Sequence, residues 1–397
     1  MKGIFQKLPS LASDYSGACG VLFEMGGLTV LCDASGCSGS FLILDDPRWY
    51  TGPQRFYSAQ LRERDVVLGM DQKLVRKITQ THEAVGGDFL AVVGTPVPSI
   101  VGTDFDGICR ELEKRVGVPA IGIDTTGMET YERGQTKTYM KLLERFADDG
   151  ADGIADVHVI GATPLDMWDI NQTDDLIALL KSCGAERPAV WGINSSVAEI
   201  AGISHSKLNV AVSVSALPVV RKLEQNYGTP YVIGYPVGEK ATREWKVRIS
   251  AALKGERPAA VTDEPGAKRI RALIVGEQVA SESLRGLFLQ EFGFEQVDVA
   301  SYFTMDAELM REGDAKLVEE DDLPDLLAAR ERYDVILADP LLLRLLPYQP
   351  KMVVPLPHTA VSSRAFWNQS PNCLGDKGSL YFAQALRSLL DEQTQSE

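Results

Sequence analysis

Short, unbroken apolar runs recur along the chain, and most are followed by a longer stretch whose apolar residues fall at helical spacing. The first run is 28–31. FLAVVG from Phe89, VPAIGID from Val118, 157–161, AVWGIN at 189–194, LNVAVSV at 208–214 and PYVIGYP continue the series. Helical patterns lie at 71–81, 103–115, 135–146, 173–183 and up to Tyr227. A short continuous apolar run reads as a strand buried on both faces, and strands alternating with helices make parallel sheets covered on both sides. The predicted class is α/β, with two to three doubly wound, Rossmann-like parallel-sheet domains around a central cleft.

The alternation pauses around 257–268, where ERPAAVTDEPGAK collects Pro, Gly and charge. It then restarts with IRALIVG at 270–276, a helix to 292, VDVAS, an acidic segment at 319–322, a helix at 323–332, YDVILAD and KMVVPLP. A last helix at 378–390 runs into the polar tail DEQTQSE, which is expected to fray. The domains expected are 1–125, carrying a cysteine-bearing loop, 126–260 and 261–397. Ligands of doubly wound sheets sit beyond the carboxyl ends of the strands. The loops of interest are therefore 93–104, 124–134, 161–171, 194–196, 235–244 and 355–364.

Composition narrows the function classes. With 397 residues, 45% hydrophobic and 24% charged, the chain is an ordinary globular protein too long for one core. Forty basic against fifty-five acidic residues give a net charge of −15, which predicts no nucleic-acid partner. No apolar stretch is long enough for a membrane span, and MKGIFQKLPSLASDY lacks a continuous signal core. No membrane association and a cytoplasmic location are expected.

The chemistry concentrates in SDYSGACGVLFEMGGLTVLCDASGCSGS, residues 13–40, which holds Cys19, Cys32 and Cys37. Six cysteines in this length are too few for a disulfide scaffold, and clustered cysteines in a cytosolic chain point to metal or redox work. Cys32 ends the strand and reads as core. Cys37 follows a Gly turn and reads as a soft-metal or iron–sulfur ligand. Cys109 and Cys183 fall in helical patterns, and Cys373 stays open. No GxxxxGK[ST], GxGxxG after a strand, GxSxG or HExxH is present; VGEQVAS at 275–281 lacks the glycines for close pyrophosphate approach. His82 and His158 read as structural. His358, after the strand ending in Pro355-Leu356-Pro357, is the candidate catalytic residue.

The order of segments resembles the nitrogenase component 1 superfamily, which includes dark-operative protochlorophyllide reductase B-type subunits and cofactor-assembly scaffolds. SGA (16–18), a strand and ASGC (34–37) resemble the family's PxGA…HGxxGC. FYSAQLRERDVVLGMDQKL, VVGTPVPSIVGTD, VPAIGIDTTGMETYERG and LNVAVSVSALPVVRKLEQNYGTPYV resemble its later segments, in register, and the third domain follows the same order. The departures are specific. Ser13 stands at about the family's first cluster cysteine, and Pro96 replaces the Thr-Cys-Pro cysteine. Val212 and about Ala360 stand where nitrogenase α chains hold their catalytic cofactor.

What the resemblance implies is a subunit of a nitrogenase-like oxidoreductase. It would bind or border an iron–sulfur cluster, of [4Fe–4S] type, and take electrons from an ATP-dependent P-loop iron protein to reduce a small molecule. The partners implied are a homologous component 1 subunit, in a hetero- or homo-oligomer, that iron protein and a small-molecule substrate. The alternative is a non-catalytic cofactor-assembly scaffold or cluster-poor partner subunit. A third reading is a small-molecule-binding α/β protein with structural cysteines alone. Cys37, Cys19 and Ser13 are the candidate cofactor-binding residues, with Cys37 and Cys19 as metal ligands. Either a partner supplies three thiolates beside Cys37, or two copies each supply Cys37 and Cys19. Mixed charges near Asp65, including Arg62 and Arg64, form a candidate footprint for the iron protein.

Overall fold

The computed structural model describes residues 5–51, 55–167, 169, 172–256, 265–330 and 333–394. Three sheets, every pairing parallel, carry the architecture. The first contains β1 (Leu28–Leu31), β2 (Phe56–Ser58), β3 (Leu90–Val93) and β4 (Ala120–Ile123), in the order β2-β1-β3-β4. The second contains β5 (Val157–Ile160), β6 (Pro188–Val190), β7 (Leu208–Ala211) and β8 (Tyr231–Ile233), in the order β6-β5-β7-β8. The third contains β9 (Lys268–Val275), β10 (Phe294–Ser301), β11 (Ala315–Lys316), β12 (Val335–Ala338) and β13 (Met352–Pro355), in the order β11-β10-β9-β12-β13. Strands β1, β3, β4, β5, β7 and β12 are buried along their whole length, which explains their unbroken apolar sequence. No described helix is long and apolar enough to cross a membrane.

The sheets share cores. Cys19, Phe41 and Val93 of the first region pack in one apolar cluster with Ile160, Trp191 and Leu217 of the second. Val159, Val210 and Trp245 pack in another with Ile270, Phe288 and Val335 of the third. Polar ties reinforce these contacts. Buried Arg48 pairs with Asp46 at 2.7 Å and donates to the carbonyls of Gly20 (2.8 Å) and Gly192 (2.5 Å). Glu320 Oε2 accepts from the backbone N–H groups of Gln6 (3.0 Å), Lys7 (2.8 Å) and Leu8 (2.8 Å), latching the N-terminal arm onto the third sheet's side of the molecule.

Several local elements differ from the sequence pattern. DYSGACGVL forms a helix, Asp14–Leu22, although two glycines and a serine are poor helix formers. Its small residues admit a second helix, Tyr131–Phe146, which starts at Tyr131 rather than at 135. A methyl group on Gly17 would run into the Tyr131 carbonyl, and one on Gly134 into the Asp14 carbonyl. Backbone therefore meets backbone at this crossing. AVWGIN contributes only Ala189 and Val190 to a strand, Pro188–Val190, and Trp191 turns inward to donate its indole N–H to His158 Nδ1 at 3.0 Å. The DDPRWYTGPQRFYS segment holds a 3-10 turn, Pro47–Tyr50, and edge strand β2. The C-terminal helix is divided into Asp376–Ala385 and Arg387–Thr394. Of the linker expected at 257–268, residues 257–264 lie outside the described set.

The helix crossing yields the first prediction. Gly17→Ala and Gly134→Ala should each destabilise the protein by about 1–3 kcal/mol, the range for overpacking a closed contact. Gly39→Ala, whose methyl would meet nothing within 4 Å, should be neutral or slightly stabilising. Thermal unfolding followed by circular dichroism measures all three. Parental stability in both crossing variants would show that the helices have room to spare.

Candidate functional site

After β1 the chain turns through Asp33 and Ser35 into a short helix, Gly36–Ser40, that carries Cys37. Asp33 holds this turn. Its Oδ2 accepts from the Ser38 N–H (2.7 Å), its Oδ1 from the Ser58 hydroxyl (2.5 Å), and its carbonyl from the Leu61 N–H (2.7 Å). From the turn after β3, the Thr95 hydroxyl donates to the Cys32 carbonyl at 2.6 Å. Ser35 adopts φ 91°, a left-handed conformation that costs a non-glycine residue about 1–3 kcal/mol. Bonds from both neighbouring strands hold the turn against that cost.

Cys37 is half-buried, whereas Cys19 and Cys32 have no exposed surface. Burial pushes the Cys37 thiol pKa up and Asp33 adds to the shift, against a smaller downward pull from Tyr15 and Thr95. A thiol without a cation beside it is a poor nucleophile, but a coordinating metal deprotonates a thiol outright. Cys19 lies within the Asp14–Leu22 helix, and burial holds its thiol well above the usual range. Ser13 stands at the N-cap of that helix, in extended backbone and without a side-chain cap hydrogen bond. Pro96 opens the short helix Pro96–Ile100. Among the described residues, no group of three or more His, Cys, Asp or Glu side chains comes together to hold a metal ion. These residues fit one thiolate corner of a cluster, not a complete ligand set.

The segments that follow the strands of the first sheet expose large apolar side chains: Trp49 and Tyr50 after β1, Val67 and Leu68 (83% exposed) after β2, Ile100 (73%) after β3 and Met128 (75%) after β4. Large apolar side chains left this exposed are candidates for an interaction face.

His358 belongs to a second, buried locus where all three regions meet. Its ring stacks on Phe303 at 5.1 Å between centroids and lies 6.0 Å from the Tyr131 ring. Neither ring nitrogen has a hydrogen-bond partner among the described residues, and burial pushes its pKa down to about 4. Nearby, Asp166 Oδ2 accepts from Gln135 Nε2 (2.7 Å), Thr163 Oγ1 (2.8 Å) and the Thr163 N–H (3.2 Å). Glu277 accepts from the N–H groups of Val214 (2.7 Å) and Ala280 (2.8 Å). Burial raises Asp166 to about 7 and Glu277 to about 8, and the Asp166 carboxylate adds to the rise at Glu277. Glu132 accepts from the Thr304 N–H and hydroxyl, both at 2.8 Å. The N-terminal arm threads past this junction: the Ala12 N–H donates to the Ala360 carbonyl (2.8 Å) and the Ala12 carbonyl accepts from the Tyr131 N–H (3.0 Å).

The structure therefore separates the sequence candidates. Cys37 sits on the surface, Cys19 and Ser13 sit behind it, and His358 sits in the junction. Loops 124–134, 161–171 and 355–364 supply the junction, and 93–104 supplies Thr95 to the turn. Asp166 and Glu277 were not singled out by any motif. Glu277 lies in VGEQVAS, where the carboxylate caps the following helix, Gln278–Gln290, at the place a pyrophosphate would need.

Both raised carboxyls bind a proton more tightly in the fold than in the unfolded chain. Between about pH 4.5 and about pH 8 the unfolded chain releases these protons first, so their contribution to stability falls as pH rises through that window. Asp166→Asn keeps an oxygen where Oδ2 accepts and removes one such group. The variant's melting temperature relative to the parent should rise steadily from about pH 5 to about pH 8. Parallel melting curves for the two proteins would show that Asp166 is ionised throughout.

The family model described as nitrogenase component 1 type oxidoreductase matches residues 13–339. The nitrogenase iron-molybdenum cofactor biosynthesis protein NifE of Nostoc sp. is 25% identical over 192 residues, covering 46% of this chain and 39% of that protein. NifE of Klebsiella pneumoniae is 28% identical over 250 residues, covering 57% of this chain and 50% of the relative. The chain thus matches half or less of the length of these curated relatives. The solved structure of nitrogenase Cp1 at pH 6.5 superposes with a TM-score of 0.73 over 100% of this chain and 95% of its own, at 14% identity, which shows a common fold. With its segments, its three parallel sheets and the family match in agreement, the chain belongs to the nitrogenase component 1 type oxidoreductase family.

Proposed function

We propose that this chain is a cofactor-assembly scaffold or partner subunit of a component 1 type complex, in which Cys37 gives one thiolate to a [4Fe–4S] cluster shared with a homologous subunit. The observation that carries this reading is a half-exposed thiol on a turn held by Asp33 and Thr95, in a sheet whose strand-following segments expose large apolar side chains. A cluster at that thiol needs further ligands, and a second chain docking on the exposed apolar side chains would bring them. The symmetric alternative, with Cys19 from each of two copies, would require a thiol that has no exposed surface to leave its core.

The assembly role is favoured over small-molecule reduction on two grounds. The curated relatives carry the name of cofactor-biosynthesis proteins. Val212 and Ala360, at the positions where the resemblance places a catalytic cofactor's ligands, are buried apolar residues. In the second reading the chain is a reductase subunit that takes electrons from an ATP-dependent iron protein. That reading rests on the family match, and it assigns ATP hydrolysis to the partner because no phosphate-cradling motif is present here.

Anaerobic purification with the homologous subunit tests the proposal. The parent should carry iron and sulfide with visible absorbance, Cys37→Ala should lose the absorbance and most of the iron, and Cys19→Ala should keep both. Unchanged iron in Cys37→Ala would sink the ligand assignment. Leu68→Asp and Ile100→Asp, read by size-exclusion chromatography, should weaken association with that subunit while leaving the circular dichroism of the isolated chain unchanged. Full association in both would move the interface elsewhere.

A further inference from the structure

Away from Cys37 and from the junction, a cleft of about 710 Å³ opens between the second and third regions. One wall is the free edge of β8, with Tyr231 and Tyr235. Another is the helix Glu239–Leu253, with Trp245 and Arg248, and the helix Gln278–Gln290 closes the far side with Val279. The β8 edge is already occupied at its end, where the Tyr235 N–H donates to Ser283 Oγ (2.9 Å) and the Gly234 carbonyl accepts from the Trp245 indole (3.3 Å). An added peptide strand would have to displace these bonds, so the cleft suits a compact ligand.

The charges in the lining are unequally satisfied. Arg311 pairs with Glu282 at 3.2 Å, and Glu308 pairs with Arg221 at 2.8 Å. Among the described residues, Arg248 Nε is buried without a hydrogen-bond partner. Burial pushes its pKa down, and exposed Glu244, one helical turn away, offsets only part of that effect. A partly desolvated guanidinium facing aromatic walls is a ready partner for a carboxylate. Glu224 and Glu244, also in the lining and both exposed, set an upper limit on charge: a polyphosphate or polycarboxylate would meet their field.

We propose that this cleft binds a small organic monoanion, a carboxylate on a flat apolar body, with Arg248 pairing its carboxylate and Trp245, Tyr231 and Tyr235 enclosing the rest. The site uses no residue of the Cys37 turn, so it stands or falls independently of the cluster reading.

Isothermal titration calorimetry with 1-naphthoate tests it. One saturable site is expected on the parent. Arg248→Gln should weaken that site by at least about tenfold, the scale of one lost charge-assisted bond pair, and Arg248→Lys by less. The neutral isostere 1-naphthamide should bind the parent and Arg248→Gln alike. Ala241→Phe, which fills the cleft wall, should weaken both ligands and serves as the second variant if Arg248→Gln loses its native circular dichroism. Absence of saturable 1-naphthoate binding up to about 10 mM, or equal affinity in the parent and either variant, would overturn the proposal. Naphthalene-1,4,5,8-tetracarboxylate binding as tightly as 1-naphthoate would overturn the monoanion assignment.

Discussion

The contact on which the site depends is the crossing of Asp14–Leu22 with Tyr131–Phe146. Two glycines, Gly17 and Gly134, let the backbones touch, and neither position tolerates a side chain without movement. That closeness places Cys19 in a closed core and brings Ser13 beside Thr130. It also aims Tyr131, Glu132 and Gln135 into the junction from one end of a single helix. The closed core around Cys19 and the buried junction are thus positioned by the same pair of small residues.

Much of the fold is legible in the sequence because parallel strands buried on both faces must be continuously apolar. That reading needs no knowledge of partners, and it recovers most strands of all three sheets. The Cys37 turn is legible for a different reason: a glycine followed by cysteine at the end of a strand is a local arrangement. What sequence reading misses is non-local. The Asp14–Leu22 helix has little intrinsic propensity and exists through tertiary packing. Asp166 and Glu277 look like ordinary loop acids, and their burial is created by segments far apart in the chain. His358 is recognisable as a residue following a strand, yet its place between Tyr131 and Phe303 depends on three separate regions.

The two loci represent opposite treatments of polar chemistry. At the junction, carboxyls are buried and accept hydrogen bonds from Gln135, Thr163 and backbone N–H groups of the same chain. At the Cys37 turn, the backbone is held by hydrogen bonds from Asp33 and Thr95 while the thiol is left partly uncovered. Under the proposed function that combination suits a shared ligand, since the geometry must exist before a second chain arrives.

The Glu320 clamp has a consequence for biosynthesis. The carboxylate that fastens residues 6–8 lies 312–314 positions downstream of them. On the ribosome, residues 6–8 are made 312–314 positions before the carboxylate that fastens them. Domains made early can assemble their own sheets, since folding proceeds largely unit by unit from the N-terminus. Residues 6–8, however, can dock on Glu320 only after that distant carboxylate has been made, so this contact is a late one.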